Sequence, residues 1–167
     1  PLAQHAVGRS RHLRILVVED NHVNQLLTTR TLQKLEHSTD VACNGIEAIE
    51  AVEAEPFDLI LMDVNMPEMS GIEATKIIRR MPGERGQIPI IALTANAMKG
   101  DKERFLAAGM SDYVSKPLDR DRLIAAVNNW GRRKHQPSPN SSVTAEDDSD
   151  MGIVDHRETE IESGADA

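Results

Sequence analysis

The sequence predicts an α/β fold, a parallel sheet of five strands covered by helices on both faces. Three observations predict it. Residues 13–18, 57–62 and 88–93 are short apolar runs, the first rich in β-branched side chains, the pattern of parallel strands buried on both faces. Each run is followed by a stretch with helical start and stop signals, so that strand and helix alternate five times along the chain. Hydrophobic residues make up 40% of the chain and aromatics 2%; a core can form, and it has to be aliphatic.

The elements follow in order. Strand one, residues 13–18, ends at Glu19-Asp20-Asn21. Asn21 can cap a helix running through Lys34, with Val23, Leu26, Leu27, Leu32 and Leu35 as its apolar positions. Residues 39–42 form a weaker strand, Asn44-Gly45 a turn, and residues 46–54 a helix that Pro56 stops. Strand three, residues 57–62, ends at Asp63. After a loop containing Pro67, a helix over residues 71–80 places Ile72, Ile77 and Ile78 on one side. Strand four, residues 88–93, ends at Thr94, and a helix over residues 99–108 stops at Gly109. Tyr113-Val114 is a short strand ended by Ser115-Lys116-Pro117, and the last helix, residues 118–130, stops at Gly131.

The net charge of −8 is unevenly placed. Residues 1–134 hold 18 basic and 18 acidic side chains, whereas residues 135–167 hold Arg157 against nine acidic ones. The segment from residue 133 to residue 167 is polar, Ser/Asn/Pro-containing and acidic, and is expected to be a disordered tail or linker. Residues 1–12 are expected to be a leader, and residues 13–132 the folded domain. The start, Pro-Leu-Ala-Gln-His, has neither an initiating Met nor a signal-peptide pattern, and is expected to belong to a longer chain. One cysteine, Cys43, excludes an internal disulfide and is expected to be a small buried hydrophobe. No apolar run approaches the ~20 residues of a membrane span. The neutral body lacks the basic patch of a nucleic-acid binder, and a cytoplasmic location is expected. The six His residues show no metal-ligand spacing.

In open α/β sheets, sites form outside the carboxyl ends of the strands. Those ends carry Glu19 and Asp20, Asp63, Thr94 and Lys116. Three carboxylates at one sheet edge stay ionised together only around a cation, and an all-oxygen donor set suits Mg²⁺. A lysine adds a point positive charge, and a threonine hydroxyl a hydrogen bond. Together these groups would stabilise an aspartyl phosphate. Asp63, at the end of the central strand, is the best nucleophile. Taken singly, Glu19 and Asp20 would be helix caps, Thr94 a turn cap and Lys116 a solvated lysine; only the set points to chemistry.

Leu16-Val17-Val18-Glu19-Asp20-Asn21, the stretch from Leu61-Met62-Asp63 through Asn65-Met66-Pro67 to Ser70-Gly71, Ala92-Leu93-Thr94-Ala95 and Ser115-Lys116-Pro117 together resemble the receiver domain of two-component signalling proteins. The resemblance covers residues 13–132 and implies a flavodoxin-like (βα)5 doubly wound sheet. It implies that Asp63 accepts a phosphoryl group from a phosphohistidine. Mg²⁺ would be held by Asp20 and Asp63, with Glu19 assisting and the Asn65 backbone carbonyl completing the set. Thr94 would bond the phosphoryl oxygen and move on phosphorylation, Lys116 would pair with the phosphate, and Tyr113 would be the aromatic switch, with plain packing as its alternative. Asn65 and Asn96 would tune phosphoryl lifetime, and the small Ala95 would leave phosphodonor access open. The Lys116–Pro117 bond is expected to be cis. One departure is Glu36, where many relatives carry Gly in the turn after the first helix.

The Asp20-Asn21-x-x-Asn24 run and the Asn65–Gly71 loop resemble receivers at the C-terminal end of hybrid histidine kinases more than transcriptional ones. The chain has no ATP-binding glycine boxes and therefore no kinase core of its own. Expected partners are a histidine kinase dimerisation and phosphoacceptor domain or a histidine phosphotransfer protein, docking beside the first helix. The region around residues 99–130 is a second expected partner surface. Alternatives are a stand-alone response regulator and a phosphorylation-silent docking module. A flavodoxin-type cofactor binder is disfavoured, because Glu19-Asp20-Asn21 would repel FMN phosphate.

Overall fold

The computed structural model describes residues 11–95 and 97–133. The expected leader before residue 11, the tuning position Asn96 and the acidic segment from residue 134 onward lie outside the described residues. The elements are β1 (Arg14–Val18), α1 (His22–Lys34), β2 (Ser38–Ala42), α2 (Gly45–Ala54), β3 (Leu59–Asp63), α3 (Gly71–Arg79), a 3-10 turn (Gly83–Gln87), β4 (Ile90–Thr94), α4 (Asp101–Ala108), β5 (Asp112–Ser115) and α5 (Arg120–Arg133). All strands pair in parallel, in the order β2-β1-β3-β4-β5, the flavodoxin-like doubly wound order. No described helix is long and apolar enough to cross a membrane.

Strand side chains alternate between two apolar layers. Leu16 and Val18 of β1 join Val52 of α2, Ile78 of α3 and Phe105 of α4. Ile15 and Val17 join Leu32 of α1 and Leu123 and Val127 of α5. Helices α1 and α5 therefore cover one face and α2–α4 the other. Every residue of β3 and β4 is buried, which is why these strands read as unbroken apolar runs. The strand order reverses between β1 and β3, and the crevice at that point is where the polar strand ends collect.

Several expectations are corrected. Of the apolar positions assigned to α1, only Leu32 lies on its buried face. The helix buries Gln25, Thr28 and Leu32, and leaves Val23 63%, Leu26 41% and Leu27 60% exposed, with Leu35 half-buried. In α3 the buried face is Gly71, Ala74, Thr75 and Ile78; Ile72 is half-buried and Ile77 exposed. Small residues face inward on α3 because the helix lies close against the sheet. Cys43 is exposed, since it follows the edge strand β2, where one flank has no neighbour. Helix α5 begins at Arg120, after Asp119 accepts the Asp121 N–H, and runs through Gly131 rather than stopping there. A Cβ at Gly131 would stand 2.5 Å from Leu13 Cδ1, so this glycine serves close packing. Helix α4 starts at Asp101 and ends, as expected, at Gly109. The 3-10 turn over Gly83–Gln87 is an element that the sequence pattern does not predict.

The turn after α1 keeps a glycine-type geometry without glycine. Glu36 has φ 65°. The Glu36 N–H donates to Gln33 O and the His37 N–H to Leu32 O, the paired bonds of a Schellman motif with its left-handed residue filled by glutamate. An L-residue there costs about 1–2 kcal/mol, part of which glycine's own entropy would offset. Glu36→Gly is expected to stabilise the domain by about 1 kcal/mol, raising Tm by about 4 °C in a thermal melt. An unchanged or lower Tm would contradict the strain assigned to this residue.

Candidate functional site

The sheet delivers its polar residues one per strand end. Glu19 and Asp20 follow β1 directly. Asn21 caps α1, its Oδ1 accepting the N–H groups of Val23 and Asn24. Asp63 is the last residue of β3. Its backbone is held from the far side by α3, where Ser70 and Glu73 form a capping box and the Gly71 N–H donates to Val64 O at 3.1 Å. A Cβ at Gly71 would stand 2.1 Å from Asp63 O, so no other residue lets the helix come this close. Thr94 ends β4, buried, and accepts on its carbonyl the Lys116 N–H at 2.6 Å. The Lys116–Pro117 bond is cis, as expected.

These positions bring four charged groups together. The Lys116 ammonium lies 2.9 Å from Glu19 Oε2 and 3.0 Å from Asp63 Oδ2. The other Glu19 oxygen accepts the Asn21 N–H at 3.2 Å and Asn24 Nδ2 at 3.5 Å. Asp63 Oδ1 accepts the Asn65 N–H at 3.1 Å. Glu19 and Asp63 are buried, whereas Asp20 is exposed at the rim. Burial pushes the Asp63 carboxyl up to about 6; Lys116 opposes this and the Glu19 charge adds to it. Burial also pushes Glu19 up, but the Lys116 hydrogen bond and the Asn21 N–H outweigh it and hold Glu19 below the usual carboxylate value. Lys116 is lowered by burial and raised more by Glu19 and Asp63, so it stays firmly protonated.

Glu19, Asp20 and Asp63 each offer a carboxylate oxygen, all within 4.8 Å of one another. When ionised, these three groups and one ammonium leave two negative charges, which a divalent cation would neutralise. The oxygen-only donor set fits a hard ion such as Mg²⁺. Tyr113 lies apart from this cluster. It is half-buried and its ring packs 6.3 Å from that of Phe105. Asn65 is exposed beside Asp63, and Ala95 is exposed after Thr94. Two neighbours were missed from sequence: Gln25, whose Nε2 donates to Glu19 O at 2.6 Å, and Gly71. The signal for Gln25 was its spacing with Thr28 and Leu32, which is as helical as that of the exposed leucines.

Fold and cluster together define the class: a doubly wound α/β domain whose acidic pocket, countered by one lysine, opens at the carboxyl edge of its sheet. Within that class, the response regulator receiver domain family matches residues 15–128, and the chain belongs to it. It is similar to the histidine kinase BarA of Shigella flexneri, 43% identical over 111 residues, which are 66% of this chain and 12% of that one. It is also similar to the sensor protein GacS of Pseudomonas syringae, 42% identical over 133 residues, 78% of this chain and 15% of that one. The chain thus spans a small fraction of these relatives. Among solved structures, the receiver domain of the sensor histidine kinase PA1611 from Pseudomonas aeruginosa is 41% identical with TM-score 0.66, covering 73% of this chain and 99% of that one; it holds a magnesium ion in its active-site cleft. The receiver domain of the Saccharomyces cerevisiae response regulator Ssk1, crystallised with the histidine phosphotransfer protein Ypd1, is the subject of a second match, at 33% identity and TM-score 0.69 over 78% of this chain and 96% of that one.

A cation at this cluster and a proton would compete for Asp63. Above about pH 6 its carboxylate is ionised and available; below, a proton occupies it. The apparent affinity for Mg²⁺, followed by calorimetric titration, is expected to weaken steadily as pH falls below about 6, approaching tenfold per unit. A flat profile between about pH 5 and 7 would remove Asp63 from the set of ligands.

Proposed function

We propose that Asp63 accepts a phosphoryl group from a phosphohistidine in a Mg²⁺-dependent reaction, and that the domain relays or regulates a signal through the resulting change of shape. The observation that carries this is the Asp63 carboxylate at the carboxyl end of the central strand, 3.0 Å from the Lys116 ammonium and inside the Glu19–Asp20–Asp63 cluster. An Asp63 oxygen forms the new O–P bond while the P–N bond of the donor breaks and its electron pair returns to the imidazole. Glu19, Asp20 and Asp63, with the Asn65 carbonyl, would hold Mg²⁺, which when bound supplies positive charge at the phosphoryl oxygens. Lys116 exchanges one carboxylate partner for the phosphoryl group. Thr94, buried at the end of β4, moves to hydrogen-bond it, and Tyr113 swings inward after it.

The donor is a histidine-bearing domain, either the phosphoacceptor domain of a histidine kinase or a phosphotransfer protein. What supports its docking place is the exposed apolar face of α1, Val23, Leu26 and Leu27. Beside it lies a groove of about 340 Å³ lined by Leu27, Thr28, Lys116, Pro117 and Leu118. The similarity to BarA and GacS supports a parent chain that is a hybrid sensor kinase; a cytoplasmic location is our reading of the sequence alone.

Incubation with acetyl phosphate and Mg²⁺, read by intact-mass spectrometry, is expected to add one hydroxylamine-labile phosphoryl group. Asp63→Asn is expected to abolish it, and Lys116→Ala to slow it about a hundredfold. Labelling of Asp63→Asn at the wild-type rate, or none in the wild type, would defeat the proposal.

A further inference from the structure

Helix α1 is inverted relative to its own apolar pattern. It turns Gln25 and Thr28 inward beside Leu32, and Val23, Leu26 and Leu27 outward. Burying a glutamine amide where leucine was available is unfavourable unless the amide is hydrogen-bonded, and this one has two partners. Its Nε2 donates to Glu19 O at 2.6 Å and to Cys43 Sγ at 3.6 Å.

The Glu19 carbonyl belongs to the peptide unit that joins Glu19 to Asp20. That stretch is held from both sides. The Glu19 N–H donates to Ala42 O at the end of β2, and the carbonyl is held by Gln25. The Glu19 side chain has its own partners, Lys116, Asn21 and Asn24. Asp20 is different: among the described residues nothing hydrogen-bonds its exposed carboxylate, so its place is set by the backbone that carries it. Rotation of the Glu19–Asp20 peptide plane would swing the Asp20 carboxylate away from Asp63. The Gln25 amide opposes that rotation. It ties the loop to a helix already fixed at its start by the Asn21 cap.

We infer that Gln25 is a positioning residue for the cation site: through the Glu19 carbonyl it holds the Asp20 carboxylate in reach of Glu19 and Asp63. The inference rests on the cation-binding part of the proposed function. It also accounts for the inversion of α1, whose inward face is given to holding the loop and whose apolar face is left for a partner.

The test uses the whole chain and Mg²⁺ itself, titrated by calorimetry without any phosphodonor. Gln25→Met keeps the length and loses the donor; Gln25→Ala repeats the loss with a smaller side chain. Leu32→Ala is the control, since Leu32 is equally buried on the same helix and belongs to the apolar layer. Both Gln25 variants are expected to weaken Mg²⁺ binding about tenfold and to shift the Asp20 and Asn21 amide resonances of the metal-free protein. Leu32→Ala is expected to lower Tm with Mg²⁺ affinity unchanged. Unchanged affinity in either folded Gln25 variant, or an equal loss in Leu32→Ala, would overturn the positioning role. A wild-type chain whose Mg²⁺ binding is absent, or survives intact in Asp63→Asn, would instead overturn the cation site on which the role depends.

Discussion

Two buried carboxylates share one ammonium. Lys116 sits 2.9 Å from Glu19 and 3.0 Å from Asp63, with Asp20 at the rim. Burying a carboxylate without compensation costs several kcal/mol, and burying two side by side adds their repulsion. The rest of the molecule can be understood as the frame that makes this arrangement tolerable. β1 and β3 bring the acids to neighbouring positions, β5 brings the lysine, and backbone N–H groups of Asn21 and Asn65 occupy oxygens the lysine leaves open. The compensation is incomplete by design of the residues present: burial still leaves Asp63 at about 6. That residual cost is what an added positive charge would relieve.

The frame is stiff where the site needs it. β3 and β4 are buried over their whole lengths, so Asp63 and Thr94 end strands that have apolar layers on both faces. Gly71 lets α3 lie against the Asp63 carbonyl at a distance that excludes any Cβ, and the Ser70–Glu73 capping box fixes where that helix begins. Tyr113 stands half-buried on the edge strand β5, its ring packed against Phe105.

Much of this was legible in the sequence. A strand buried on both faces is an apolar run with a polar stop, and Glu19, Asp20, Asp63, Thr94 and Lys116 are those stops. The cluster of Glu19, Asp20 and Asp63 followed from those stops. What misled was helix orientation. Helical periodicity identifies a stripe and assumes that the apolar one faces in; α1 carries two stripes, and Gln25–Thr28–Leu32 is the buried one because Gln25 finds a carbonyl to bond. In α3 the inward residues are small because the helix lies close to the sheet. Gly131 looked like a helix stop, but its missing Cβ makes room for Leu13, a contact far away in sequence. Glu36 marked a departure from the usual glycine, yet two backbone hydrogen bonds hold it in the same left-handed turn.

We propose that the carboxylate cluster, Lys116 and a bound cation together form one acceptor for a phosphoryl group. The most direct test is a crystal structure grown with Mg²⁺ and beryllofluoride. The expected structure has beryllium bonded to an Asp63 carboxylate oxygen, a cation held by Glu19, Asp20, Asp63 and the Asn65 carbonyl, and the Lys116 ammonium turned onto a fluoride. Beryllofluoride bound elsewhere, or the Glu19–Lys116–Asp63 bridge unchanged beside an unmodified Asp63, would contradict it.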